Sequence, residues 1–245
     1  MIMYFAWNNM KLRFKGSYLG LLWTALEPLF IFGILFLVMT TIRDVQREEF
    51  GVYLIVGVLF YHLFAKGTIS GMTSLVQNGG ILKSLNIEKE IFPVISTGTV
   101  CYMLIVHMGV LFGLMSIFNF VPSESMILLP VVLALFLVLI LGVSYFLSIL
   151  FGYLRDVQPI WSVLIYALLF ISPIFWYVNE VDGVLLGIQQ LNPLGQIIEL
   201  AHKIIVFGEI PEISEWVYPI IIVFGILFSG YALFKKFEDG VVENL

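Results

Sequence analysis

Six long apolar stretches, 19–42, 52–72, 92–118, 126–151, 160–177 and 216–234, alternate with short polar connections. Each is close to the roughly 20 residues a helix needs to cross about 30 Å of hydrocarbon. None shows the period-two alternation of a barrel strand, and lipid offers no partner to an unpaired backbone group, so each stretch must be a helix. The pattern predicts an all-α integral membrane protein: one domain over 1–245, six transmembrane helices, and no Gly/Ser-rich or Pro-rich linker to divide it.

The connections carry patterns of their own. In 1–18, Met3, Trp7, Met10 and Phe14 fall on one helical stripe and Asn8, Lys11 and Lys15 on another, with Arg13 beside them. That spacing predicts an amphipathic helix lying flat on the membrane surface. In 77–91, a Gly79-Gly80 breaker precedes a mixed run of Ile81, Leu82, Lys83, Leu85, Ile87, Glu88, Lys89 and Glu90, which fits a short exposed helix, either a partner-docking element or a solvated connector. The 178–215 region contains Leu194, Ile197, Ile198, Ala201, Ile204 and Ile205 at helical period; it is too short and too charged to span, and reads as re-entrant or interfacial.

Composition supports lipid as the main solvent: 60% of residues are hydrophobic, 12% are charged and mean hydropathy is +1.03, too little polar surface for a water-soluble globule. A net charge of −5 without a basic stripe excludes a nucleic-acid partner. Six spans put both termini on one side. Lys11, Arg13, Lys15, Lys83, Lys89, Arg155, Lys235 and Lys236 share that side, with Lys66 near it, against Arg43, Arg47 and Lys203 opposite, so both termini are expected in the cytoplasm. The N-terminus lacks a cleavage-site pattern and is expected to be retained. Cys101 sits inside a span and reads as packing.

No P-loop, metalloprotease, CxxC or GxSxG pattern occurs, so neither enzyme chemistry nor a cofactor or metal site is expected on this chain. Uphill transport would draw on an ion gradient or on an ATP-hydrolysing partner. Titratable groups within spans are expensive. Glu27, followed by helix-bending Pro28, fits either a hydrophilic path or a position still wetted by the headgroups. His107, mid-span, fits a neutral imidazole bonded to another helix better than a proton carrier. Gly67-x-x-x-Gly71 and Gly109-x-x-x-Gly113 suggest close helix packing. Trp23 and Phe30 in the first span, and Phe170, Phe175, Trp176 and Tyr177 in the outer half of the fifth, are packing or anchoring residues on spacing alone, with stacking on sugars the sharper alternative.

The run 11–29, KLRFKGSYLGLLWTALEPL, resembles the opening of the membrane subunits of ABC transporters that export polysaccharides such as O-antigen, capsule and teichoic acid. Phe92-Pro93, Arg155-Asp156-Val157, Ser172-Pro173-Ile174-Phe175-Trp176 and Asn192-Pro193-Leu194 agree with that family in order. Two positions depart from it: Glu27, where an uncharged polar residue is usual, and Ala201-His202-Lys203, where an Arg-containing stretch is usual. The resemblance implies a homodimer in a prokaryotic plasma (inner) membrane and two separate ATPase subunits that bind ATP and Mg. It implies a lipid-linked glycan as substrate. It makes 77–91 a coupling helix, 1–18 an interface helix and 178–215 re-entrant helices at the external mouth, and turns Trp23, Glu27, Phe30, Phe170, Phe175, Trp176 and Tyr177 into candidates for the substrate path. An ion-coupled transporter or channel, and an ABC permease for small molecules, are the alternatives.

Overall fold

The computed structural model describes residues 19–42, 49–84 and 87–244. All regular structure among them is helical. A short 3-10 turn, Gly20–Leu22, leads into α1 (Trp23–Ile42). There follow α2 (Phe50–Gln77), α3 (Gly79–Ser84), α4 (Ile91–Ile117), α5 (Leu129–Tyr153), α6 (Val157–Ile171), α7 (Gly183–Leu191), α8 (Pro193–Ile205) and α9 (Ile213–Asn244). Five of these, within α1, α2, α4, α5 and α9, are long and apolar enough to cross a membrane.

The fifth predicted span is different. Its helix α6 stops at Ile171, where Ser172 is extended and Pro173 cannot continue the ladder, so its 15 residues reach only about 22 Å. The chain nevertheless goes on to the far end of the bundle, where Tyr177 packs on Tyr53 at the start of α2. The apolar run 160–177, expected as one helix, is therefore a shorter helix followed by bends at 172–176.

α2 is the axis of the bundle and is buried along most of its length. Helices α1, α4, α5 and α6 pack around it, and α9 packs mainly on α5. Contact with α5 is close because Gly71 meets Ser144, where an added Cβ would stand 2.1 Å from Oγ. The α5–α9 contact is made the same way: a Cβ at Gly142 would lie 2.8 Å from the Leu227 backbone. Small residues thus allow backbones to touch where lipid supplies no hydrophobic force between helices. The Gly67–Gly71 pair works inside the protomer, whereas Gly109 and Gly113 have open space around them.

The two ends of the bundle are chemically distinct. At one, Lys89 pairs with Asp239, Glu90 with Lys235 at 2.5 Å, and Tyr153 Oη donates to the Phe237 carbonyl at 3.2 Å. At the other, Ser125 Oγ donates to Ile204 O at 2.7 Å, His202 meets Tyr53, and Lys203 pairs with Glu215. At this second end Asn192 caps α8 by accepting from Leu194 N at 3.1 Å, with Pro193 in the first turn, where no N–H is needed. All six apolar residues singled out in 194–205 are buried.

Candidate functional site

Along α2, between α4 and α6, the surface is polar. Lys66, Ser70, Thr73, Ser74, Gln77 and Asn78 of α2, with Ser96 and Thr99 of α4 and Gln158 of α6, line a groove of about 640 Å³. The hydroxyls satisfy themselves locally: Thr73 donates to Ile69 O (3.1 Å), Ser74 to Gly71 O (2.6 Å) and Thr99 to Ile95 O (3.1 Å). Such back-bonding lets Ser and Thr sit in an apolar helix, and it leaves each oxygen's lone pairs able to accept from a ligand.

At the inner end of the groove a polar chain crosses three helices. Lys66 Nζ lies 2.7 Å from Glu27 Oε1, and His62 Nε2 lies 3.3 Å from Glu27 Oε2. His62 Nδ1 is 3.2 Å from His107 Nε2, and His107 Nδ1 is 2.7 Å from Met103 O. The carbonyl can only accept, so His107 Nδ1 carries the proton and its Nε2 accepts from His62 Nδ1–H. Glu27 is paired with the Lys66 ammonium while its side chain stays 43% exposed.

His62 was absent from the sequence reading. The signal was present in its i,i+4 spacing from Lys66, which puts both on one face of α2, opposite the Glu27 turn of α1.

The candidate path residues divide. Trp23, Glu27 and Phe30 lie at i, i+4 and i+7 on one face of α1, with both rings exposed. Phe170 is exposed and Phe175 packs edge-on against it at 5.8 Å. Trp176 and Tyr177 are buried inside the bundle: Trp176 Nε1 donates to Phe170 O at 3.1 Å, and Tyr177 packs on Tyr53 with centroids 4.4 Å apart. The structure brings Trp23, Glu27 and Phe30 to one face and joins Phe170 to Phe175, while it turns the two following rings inward.

The 77–91 segment is less free than its sequence suggested. Between α2 and α4, α3 is the helix among the described residues, and a turn at Lys89-Glu90 enters α4. Leu82 is buried among Leu75, Phe92, Phe234 and Val241, whereas Ile81, Lys83 and Glu88 are exposed and Ile87 is half-buried. Glu90 also accepts from Tyr231 Oη at 3.0 Å, and the Lys235 ammonium beside it holds its carboxyl below the ordinary range. Leu85 and the amphipathic set Met3, Trp7, Met10, Lys11, Arg13, Phe14 and Lys15 lie outside the described residues.

Helices long and apolar enough to cross a membrane surround a polar groove, and the sequence comparisons show the family. The family model of the ABC-2 type transporter matches residues 2–206. The chain belongs to that family and is a multi-pass membrane protein. It is similar to the O-antigen export system permease protein RfbA of Klebsiella pneumoniae, 23% identical over 242 residues, covering 97% of this chain and 92% of the relative. RfbA of Myxococcus xanthus is 21% identical over 242 residues, with the same coverage. The polysialic acid transport protein KpsM of Escherichia coli is 25% identical over 243 residues, covering 97% and 93%.

Proposed function

We propose that this chain is the transmembrane subunit of an ATP-driven exporter that carries a lipid-linked polysaccharide across a prokaryotic plasma membrane. The observation that carries the reading is the polar groove along α2 between α4 and α6. A groove of hydroxyls, amides and the Lys66–Glu27 pair would be costly against lipid. Facing a water-filled path it offers donors and acceptors to sugar hydroxyls. Relatives named for O-antigen and polysialic acid support a glycan as the cargo.

The finer assembly belongs to the same proposal. Two copies flank the path with isologous contacts, and the open side of α2, with Trp23 and Phe30 of α1 and Phe170 of α6, faces it. Six segments cross, the fifth as α6 plus the bent stretch 172–177, and α7 and α8 form re-entrant elements at the external mouth. The clustering of Lys89, Arg155, Lys235 and Lys236 at one end supports a cytoplasmic position for that end and for both termini. There α3 and the Lys89-Glu90 turn dock onto a separate ATPase subunit, which binds ATP and Mg. ATP-driven closure of the two ATPases moves these segments, and the bundles part to pass the glycan outward.

Deleting the gene tests this. Surface polysaccharide should disappear while its lipid-linked precursor accumulates in the plasma membrane, and plasmid-borne wild type should restore export. Unchanged surface polysaccharide in the deletion strain would refute the reading.

A further inference from the structure

A second recess, apolar where the first is polar, lies between α5, α6 and α9 and has a volume of about 580 Å³. Its walls include Leu150 and Leu154 of α5, Ile160 and Leu164 of α6, and Ile226 and Ser229 of α9. The two side chains on its lining that carry a polar hydrogen have already spent it: Ser229 Oγ donates to Gly225 O at 2.7 Å, and Trp161 Nε1 donates to Thr68 Oγ1 of α2 at 3.1 Å. No N–H or O–H is left to reach into the slot, so it suits hydrocarbon. A partner helix is a poor fit, because helices associate in lipid through small residues that let backbones touch, and the lining contains no glycine or alanine. A flexible acyl chain can conform to bulky, branched walls. The slot shares no lining residue with the polar groove, which separates its occupant from cargo in that groove.

The rim of the slot at the basic end supplies charge. Arg155 follows Leu154, the last wall residue of α5; its guanidinium lies 4.9 Å from the Phe151 ring and donates to Phe151 O at 3.3 Å. Lys236 comes two helical turns after Ser229 on the same face of α9, about 10 Å nearer that end, with its Nζ 5.3 Å from the Phe237 ring. The hydrogen bond from Tyr153 Oη to Phe237 O, 3.2 Å long, joins the two segments that carry these cations. Lys66, Lys89, Lys203 and Lys235 each pair with a carboxylate, whereas Arg155 and Lys236 are exposed and have no acidic partner among the described residues. Of the neighbouring acids, Asp239 and Glu238 are engaged by Lys89 and Lys235, and Asp156 is exposed. Two cations above an apolar slot complement a ligand with an anionic head and a hydrocarbon tail.

We propose that this slot is the site of a resident anionic phospholipid from the leaflet at the basic end, with an acyl chain lying between α6 and α9 and the phosphate reaching Arg155 and Lys236. The lipid braces α6. Of the fifteen residues of that helix only Ile165 is buried, so a chain along its α9 side adds contacts that the protein itself does not make. The site does not depend on what the permease carries.

The test is native mass spectrometry of the full chain, delipidated in mild detergent and titrated with phosphatidylglycerol or with phosphatidylcholine of the same acyl chains. Phosphatidylglycerol is expected to bind about tenfold more tightly. The double variant Arg155→Gln/Lys236→Gln should bring the two lipids within about twofold of each other, and Lys236→Gln alone should lose part of the preference. Ser229→Phe places a ring at the slot and should weaken both lipids alike. All three positions are exposed, so the variants should fold, and phosphatidylglycerol should raise the Tm of the wild type more than that of the double variant. Equal binding of the two lipids, a preference that survives the double variant, or binding that Ser229→Phe leaves intact overturns the site. Two further outcomes overturn it by naming another occupant: Ser229→Phe separating two copies of the chain while lipid binding persists, or a polyprenyl phosphate displacing phosphatidylglycerol and binding more tightly.

Discussion

Glu27 and His107 stand out in the sequence as charges inside apolar runs, but their roles become clear only with His62, which bridges them across α2. The sequence makes buried polar residues visible and conceals their partners, because a partner on another helix has no fixed offset along the chain. Replacing Glu27 by Gln removes the negative charge that pairs with Lys66 and faces His62. Export should fall at least about tenfold with the protein still present in the membrane, measured as surface glycan per permease; full export would remove Glu27 from the mechanism. Gly71→Ala forces a Cβ into Ser144 and should destabilise the folded bundle by about 1–3 kcal/mol, whereas Gly113→Ala meets nothing within 4 Å and should be neutral within the protomer. Thermal unfolding in detergent distinguishes the two. Burial pushes the His202 imidazole down to about 3, with the Tyr53 carbonyl opposing. The folded ring stays neutral while the unfolded one protonates near 6.5, so its stabilisation is complete above that pH. It is lost as pH falls from about 6.5 towards 3, by about 1.4 kcal/mol per pH unit. His202→Gln keeps a donor for the Tyr53 carbonyl and should flatten that part of the pH profile; an unchanged slope would contradict the assignment.

At the scale of elements, the long helices were legible because roughly 20-residue apolar runs have one stable form in lipid. α8 was legible too, through its 3.6-residue apolar period and the Asn192-Pro193 start. The end of α6 was less so. Apolarity continues through Ile174 to Tyr177, and only the Ser172-Pro173 step marks the helix stop; the inward turn of Trp176 and Tyr177 depends on tertiary packing that no local pattern records. The 77–91 segment also exceeded its sequence, since the residues that hold Lys89 and Glu90, Asp239 and Lys235, lie about 150 positions away. This bracing has a consequence for coupling. Glu90→Lys should break the tie to α9 and lower ATP-driven export several-fold, with little loss of stability because the pair is near the surface. The double variant Glu90→Lys/Lys235→Glu should recover most of it. A double variant as poor as the single one would show that the pair does not position the segment.

For the whole molecule, one end gathers basic side chains and the braced α3 region, and the other gathers aromatic and acidic groups around His202. This polarity matches the charge asymmetry read from the connections, with the polar groove running along α2 from mid-bundle towards the basic end. The central claim, that this chain is the membrane half of an ATP-driven glycan exporter, is tested most directly by purifying the tagged protein from native membranes in mild detergent and measuring what accompanies it and in what ratio. The account predicts an ATPase subunit equimolar with this chain, in a complex of two copies of each. Reproducible recovery of this chain without an ATPase would contradict it and point instead to ion-coupled transport built around Glu27, His62 and Lys66.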